Sequence, residues 1–312
     1  MRLFVTIPAF GGFEPQYRDL EQAQVVIIPV PYQAFPNQAP SQGPQAVLAA
    51  SRTLDLFDEE LGYEPYRVGI ATLPDFWDEP PFGRTEQATT QVLKMGKFPI
   101  LIGGEQALSI GAIRATWKQH PKLCVVHVDA RLDLVLGEDP YASRSVMARV
   151  HALGIPLVQV GIRALHMDES QWLSSPAGLG NTVFWAKDFV DYCPAKDSAK
   201  AWDMSQVIEA IPKGAPVFLT VDLHGLDPSM LPAIDAPVPG GITWYPMLRL
   251  LRHLCEARNV VAADFLELMP MAGQEQCDAL VARLIYKLIG YRFSAAHKQP
   301  ATASKTKGSR SK

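Results

Sequence analysis

Cys124-Val-Val-His-Val-Asp-Ala-Arg-Leu-Asp133 is an apolar run ending in closely spaced acids, and Thr220-Val-Asp-Leu-His-Gly-Leu-Asp-Pro228 repeats the arrangement farther along the chain. Short apolar runs without alternation read as strands buried on both faces, the kind a parallel sheet requires. Open α/β sheets place their sites beyond the carboxyl ends of the strands, so acids there mark a site as well as a fold. Asp129 and Asp133 are four apart at one strand end. Asp222 and His224 are two apart at another, so an extended chain points both to one face. Carboxylates grouped in this way repel one another unless a cation lies among them. For either segment alone, turn or helix-capping Asp residues that follow a strand explain the pattern as well. The two together argue for a site.

The surrounding pattern alternates. Val25-Val-Ile-Ile-Pro29, Pro99-Ile-Leu-Ile102 and the runs over 123–128, 156–160, 217–221 and 260–263 read as strands. Residues 43–61, 106–119, 244–258 and 274–291 read as helices, the last two from apolar residues spaced i, i+3 and i+4. Strands separated by helices imply right-handed βαβ crossovers and a mainly parallel sheet. No linker of biased composition divides residues 1–293, which read as one domain. Residues 294–312, rich in Lys, Ser, Ala and Thr, read as a disordered basic tail.

A net charge of -3 over 312 residues gives no electrostatic case for nucleic acid or an acidic membrane as partner. The four cysteines (Cys124, Cys193, Cys255 and Cys277) form no CxxC pair and read as buried thiols. No apolar stretch has the length of a membrane span, and Met1-Arg-Leu-Phe-Val lacks the apolar core of a signal peptide. A reducing cytoplasm is the expected location.

Three segments carry a family resemblance. Gly103-Gly-Glu-Gln-Ala-Leu, Val128-Asp-Ala-Arg-Leu-Asp133 and Thr220-Val-Asp-Leu-His-Gly-Leu-Asp-Pro228 resemble segments of the arginase/agmatinase (ureohydrolase) family. The family patterns are Gly-Gly-Asp-His-Ser, Asp-Ala-His-x-Asp and Ser-x-Asp-x-Asp-x-x-Asp-Pro. Val160-Gly-Ile-Arg163, Pro237-Val-Pro-Gly-Gly-Ile242 and the apolar run ending at Glu267 support the match, which spans about residues 20–292. The resemblance implies a three-layer α/β/α sandwich around an eight-stranded, mainly parallel sheet. It also implies two Mn²⁺ ions bridged by hydroxide, hydrolysis of a guanidinium group to release urea, and a trimeric or hexameric homo-oligomer.

The resemblance places the six metal-ligand positions at Gln106, Asp129, Arg131, Asp133, Asp222 and His224, of which Asp129, Asp133 and Asp222 match. Arginine keeps its proton in proteins and cannot ligate a metal; its fork pairs with carboxylates. Arg131 is therefore expected to replace the second ion, bridging Asp129 and Asp222. At most one divalent ion, Mn²⁺ or Mg²⁺, is then left to Gln106, Asp129, Asp133 and Asp222, or none. Ser143 stands near the place of the family's proton-handling His, and Glu267 at the place of the glutamate that holds the substrate guanidinium. Asp129, His224 and Glu267 are the candidate catalytic residues; Glu267 and Ser143 are the candidate substrate contacts.

A second ion helps make hydroxide available near neutral pH, and a lost proton carrier removes about 10²–10⁴-fold. The leading expectation is thus a homologue without ordinary urea-releasing activity: a non-catalytic binder of a small guanidinium or amine ligand, a regulator, or a structural subunit. Two alternatives stay open. One is an agmatinase-like hydrolase that cuts a C–N bond of a guanidinium or amidine compound, with one metal or with His224 as base. The other is a pure protein-interaction subunit.

Overall fold

The computed structural model describes residues 8–33, 40–74, 81–135, 139, 142–191 and 201–297. Eight strands form one sheet: β1 Val25–Val30, β2 Ile70–Thr72, β3 Phe98–Gly103, β4 Cys124–Val128, β5 Leu157–Ile162, β6 Asn181–Trp185, β7 Val217–Asp222 and β8 Val260–Leu266. Their order is β2-β1-β3-β8-β7-β4-β5-β6, and every neighbouring pair is parallel. The helices are α1 Pro15–Arg18, α2 Gly43–Ala50, α3 Phe82–Lys94, α4 Ser109–Gln119, α5 Val146–Ala152, α6 Met167–Leu173, α7 Met204–Ala210, α8 Trp244–Ala257 and α9 Glu275–His297.

Alternation along the strands divides the core into two layers. Ile100, Val126, Leu219 and Phe265 face α2, α7, α8 and α9, whereas Leu101, Val125, Phe218 and Leu266 face α3, α4, α5 and the end of α6. The three-layer sandwich expected from the resemblance is present, and all its strands run parallel. The central strands are buried along their whole length, which explains runs without a polar alternate. α8 buries Met247, Leu250, Leu251 and Leu254, a single stripe of helical spacing, against this core. Removing one such leucine side chain costs about 2–5 kcal/mol. α7 starts at Asp203, whose Oδ1 accepts from the amides of Ser205 and Gln206 at 2.8 and 3.4 Å.

Several boundaries differ from the sequence reading. The helix expected over 43–61 ends at Ala50, followed by a 3-10 turn over Ser51–Thr53. Asp58 then folds the chain back, its Oδ1 accepting from the amides of Glu60 and Leu61 at 3.0 Å each. Both unexpected strands, β2 and β6, lie at the sheet edges, where one side is open and a continuous apolar run is not required. The expected tail begins too early: α9 continues past Ser294 to His297, and residues 298–312 lie outside the described ones. Cys124 and Cys277 are buried and Cys255 half-buried, all three as free thiols, while Cys193 lies outside the described residues. Among the described residues no helix is long and apolar enough to cross a membrane.

Candidate active site

Four adjacent strands, β3, β8, β7 and β4, deliver acids to one place. Beyond β3 lies Glu105, beyond β8 Glu267, at the end of β7 Asp222, and just past β4 Asp129 with Asp133. All five are buried, and all line one cavity of about 580 Å³. Two of them occupy backbone conformations unusual for residues with a side chain: φ is 54° at Asp133 and 73° at Glu267. Glu267 is clamped from both sides: its amide donates to the Gly104 carbonyl at 2.7 Å, and its Oε1 accepts from the Gln106 amide at 2.6 Å. Gly225 allows the segment after β7 to lie against β4. A β-carbon there would stand 2.9 Å from the Asp129 nitrogen and 2.8 Å from Val128 Cγ1.

Burial and mutual repulsion act together on these carboxyls. Burial, then the charges of Asp129, Asp222 and Glu267, hold the Asp133 carboxyl well above the usual carboxylate range. Burial, then Asp222 and Glu105, do the same to Glu267. Asp222 is raised by burial and by Asp129. Asp129 alone is lowered: burial works against its charge, but hydrogen bonding and attraction from His127, with His224 behind, prevail. Such a cluster takes up protons unless a cation enters it.

Arg131 is not that cation. Its guanidinium turns outward, NH2 donating to the Ala236 carbonyl at 3.0 Å, and forms no ion pair with Asp129 or Asp222. The expected bridge is therefore absent, and the acid floor stands open behind the Arg131 side chain. Arg131 makes a backbone bridge with Ala164, and its guanidinium reaches the Ala236 carbonyl on the cavity wall rather than the acid floor. The buried organic cation is His224. Its Nδ1 lies 2.6 Å from Asp222 Oδ1, and its Nε2 lies 2.8 Å from Asp235 Oδ1 and 2.7 Å from the Asp235 carbonyl. Burial opposes its charge, yet Asp222 and Asp235 push it up to about 12. Both ring nitrogens of His224 are thus engaged, one by Asp222 and the other by Asp235.

Gln106 sits behind the cavity wall. Its Nε2 donates to Thr220 Oγ1 at 3.2 Å, and its Oε1 is buried without a partner. Ser143 lines the cavity and donates to Glu105 Oε2 at 3.0 Å. Three participants were missed from sequence. His127 and Glu105 carried a signal, because His127 shares the strand face of Asp129 and Glu105 lies inside a quoted motif. Asp235, thirteen residues past Asp222, carried none.

Two donor groups that share Asp129 converge within 4.8 Å: His127, Asp129 and Asp133, and Asp129, Asp222 and His224. The second group does not fit an ion while both His224 nitrogens are engaged. The first group, with its surplus of buried carboxylate oxygens, suits a hard divalent ion, and Gln106 Oε1 is a further buried oxygen without a partner.

A model of the arginase family matches residues 23–290. The chain is 33% identical over 287 residues to the N(1)-aminopropylagmatine ureohydrolase of Synechocystis sp., covering 86% of this chain and 89% of that protein. It is 32% identical over 292 residues to the protein of the same name from Thermus thermophilus, covering 91% and 94%. The agmatine ureohydrolase of Thermoplasma volcanium superposes with a TM-score of 0.78 at 24% identity, covering 91% of this chain and 94% of that one. These relatives overturn the expectation of a non-catalytic binder, regulator or structural homologue. Proteins alike over nearly the whole chain are named ureohydrolases, and the arginine that was to block the site bonds the Ala236 carbonyl on the cavity wall and not the acids. From β1 to α9, the chain belongs to the arginase family.

Proposed function

We propose that this protein is a metal-dependent amidinohydrolase that cleaves a C–N bond of a guanidinium-bearing amine and releases urea, in the manner of an agmatinase. One observation carries the reading: Glu267 faces an open cavity floored by Asp129, Asp133 and Asp222, with no side-chain cation of Arg131 filling it. The names of the similar ureohydrolases make N(1)-aminopropylagmatine and agmatine the first substrates to consider.

Asp129, Asp133 and Asp222, with the Gln106 amide oxygen, would hold the ion, which supplies Lewis-acid polarisation and a more acidic water. Glu267 receives the substrate guanidinium. Its backbone and Oε1 are already fixed by Gly104 and Gln106, so little freedom is lost when the pair forms. Burial excludes competing water and strengthens that pairing. Ser143 and Glu105 stand hydrogen-bonded to each other on the cavity wall. His224 holds Asp222 in place as a fixed positive charge.

Urea release measured with Mn²⁺ added tests the proposal on N(1)-aminopropylagmatine, agmatine and arginine. Urea from at least one, lost in Asp129→Asn, is the expected result. No urea from any guanidinium compound, with the ion demonstrably bound, would overturn it.

A further inference from the structure

We propose that Gln159 on β5 and His127 on β4 are positioning residues that together orient Asp129 and Asp133. The catalytic consequence rests on the hydrolase reading above; the geometry does not. In the sheet register His127 pairs with Gln159 on one side and Thr220 on the other, and Thr220 pairs with Asp264. A polar row thus crosses four adjacent strands one pleat beneath the acids, every member fully buried. Polar groups in the middle of a sheet cost stability unless each finds a partner.

Gln159 finds three. Its Oε1 accepts from Asn181 Nδ2 at 3.0 Å, and its Nε2 lies 2.7 Å from the Leu132 carbonyl and 3.0 Å from His127 Nδ1. A carbonyl only accepts, so the Gln159 atom facing Leu132 is its nitrogen, and the second N–H of that amide meets His127 Nδ1. That ring nitrogen must then accept. The ring hydrogen is left on Nε2, 3.4 Å from Asp129 Oδ2, while the other Asp129 oxygen takes the Ala130 amide at 2.5 Å. His127 lies close enough to both acids to resemble an ion ligand, but with its hydrogen on Nε2 it presents only an N–H toward Asp129, 3.4 Å away and short of hydrogen-bond geometry before an ion draws the carboxylate into place.

The same amide reaches Asp133 through the main chain. Leu132 directly precedes it, and the Leu134 amide on the far side donates to Glu169 Oε1 at 3.0 Å. With both neighbours tied, Asp133 is held in its left-handed conformation. One side chain on β5 therefore orients two carboxylates, one through a ring and one through a peptide.

The test uses the full chain labelled with ¹⁵N-histidine, the His127 signals being assigned by their loss in His127→Gln. The expected ring carries its hydrogen on Nε2. In Gln159→Glu, whose carboxylate can only accept, the hydrogen moves to Nδ1. Mn²⁺ affinity, read by competition with a chromophoric chelator, falls about 10–100-fold in that variant, the size usual for lost outer partners of a metal site. A His127 hydrogen on Nδ1 in the unaltered chain, or an unchanged Mn²⁺ affinity in a folded Gln159→Glu, overturns the proposal. If Gln159→Glu fails to fold, the unaltered chain's tautomer decides alone. A chain that shows the expected tautomer and binds Mn²⁺ yet releases no urea sinks the hydrolase reading and leaves this one standing.

Discussion

His224 Nδ1 and Asp222 Oδ1 lie 2.6 Å apart, and the far side of the same ring meets Asp235 at 2.8 Å. A positive ring locked between two carboxylates occupies a place where, in the family pattern, an aspartate helps hold an ion. His224→Asp removes that charge and adds oxygen donors beside Asp129 and Asp222. Metal content of gel-filtered protein should rise from one Mn²⁺ per chain to two, measured by plasma mass spectrometry. An unaltered chain that already carries two would show that His224 yields its ring to the metal.

Glu267 allows a separate measurement of substrate holding. Glu267→Gln retains an oxygen for the Gln106 amide but loses the charge that pairs with a guanidinium. A charged hydrogen bond contributes about 1.5–3 kcal/mol, so kcat/KM should fall about 10–100-fold, mostly through KM. A fall confined to kcat would assign Glu267 to the chemical step instead.

Asp264 makes stability depend on pH. It is fully buried, its Oδ2 accepts from Ser109 Oγ at 2.7 Å, and its Oδ1 has no partner. Burial pushes its carboxyl up to about 7 from an ordinary 3.8. The folded chain thus binds this proton more tightly than the unfolded one. The stability it contributes is complete below the ordinary Asp range and is lost as pH rises through about 7, at about 1.4 kcal/mol per pH unit. Thermal midpoints recorded from pH 4 to 8 should fall less steeply with pH in Asp264→Asn than in the unaltered chain. Parallel curves would mean that Asp264 is ionised throughout.

The central strands were legible in the sequence because burial on both faces demands unbroken apolar runs; β2 and β6, at the edges, carry no such demand. Asp129 and Asp222 could be placed at one sheet edge from their position after strands alone. The direction of Arg131 could not. Its guanidinium reaches Ala236, distant in sequence, and no local pattern encodes which of two nearby acceptors a guanidinium takes. The same limit hid the role of His224, whose second partner Asp235 lies eleven residues away in a loop. Gln159 was invisible for a different reason: a lone polar residue in an apolar strand shows its purpose only once its neighbours in the register are known.

The turn after α2 is fastened by a buried cation, Lys287 on α9. Its Nζ lies 3.0 Å from Asp58 Oδ2, 3.3 Å from Glu59 and 3.4 Å from Glu60, with both Lys287 and Asp58 buried. Tyr291, one turn on, donates to Glu60 Oε2 at 2.5 Å. Burial disfavours the ammonium, but Asp58 and Glu59 outweigh it and raise its pKa, so this contribution is complete at neutral pH and is lost only as pH rises through the raised value. Lys287→Met leaves Asp58 buried without its counter-charge and should cost about 3–5 kcal/mol, the range found when one partner of a buried pair is removed. For a domain of this size that is a fall of roughly 10 °C in thermal midpoint. The double variant Lys287→Met with Asp58→Asn should recover part of the loss, because no unpaired charge then remains. A double variant less stable than Lys287→Met alone would mean that Asp58 acts through its bonds to the Glu60 and Leu61 amides and not through Lys287.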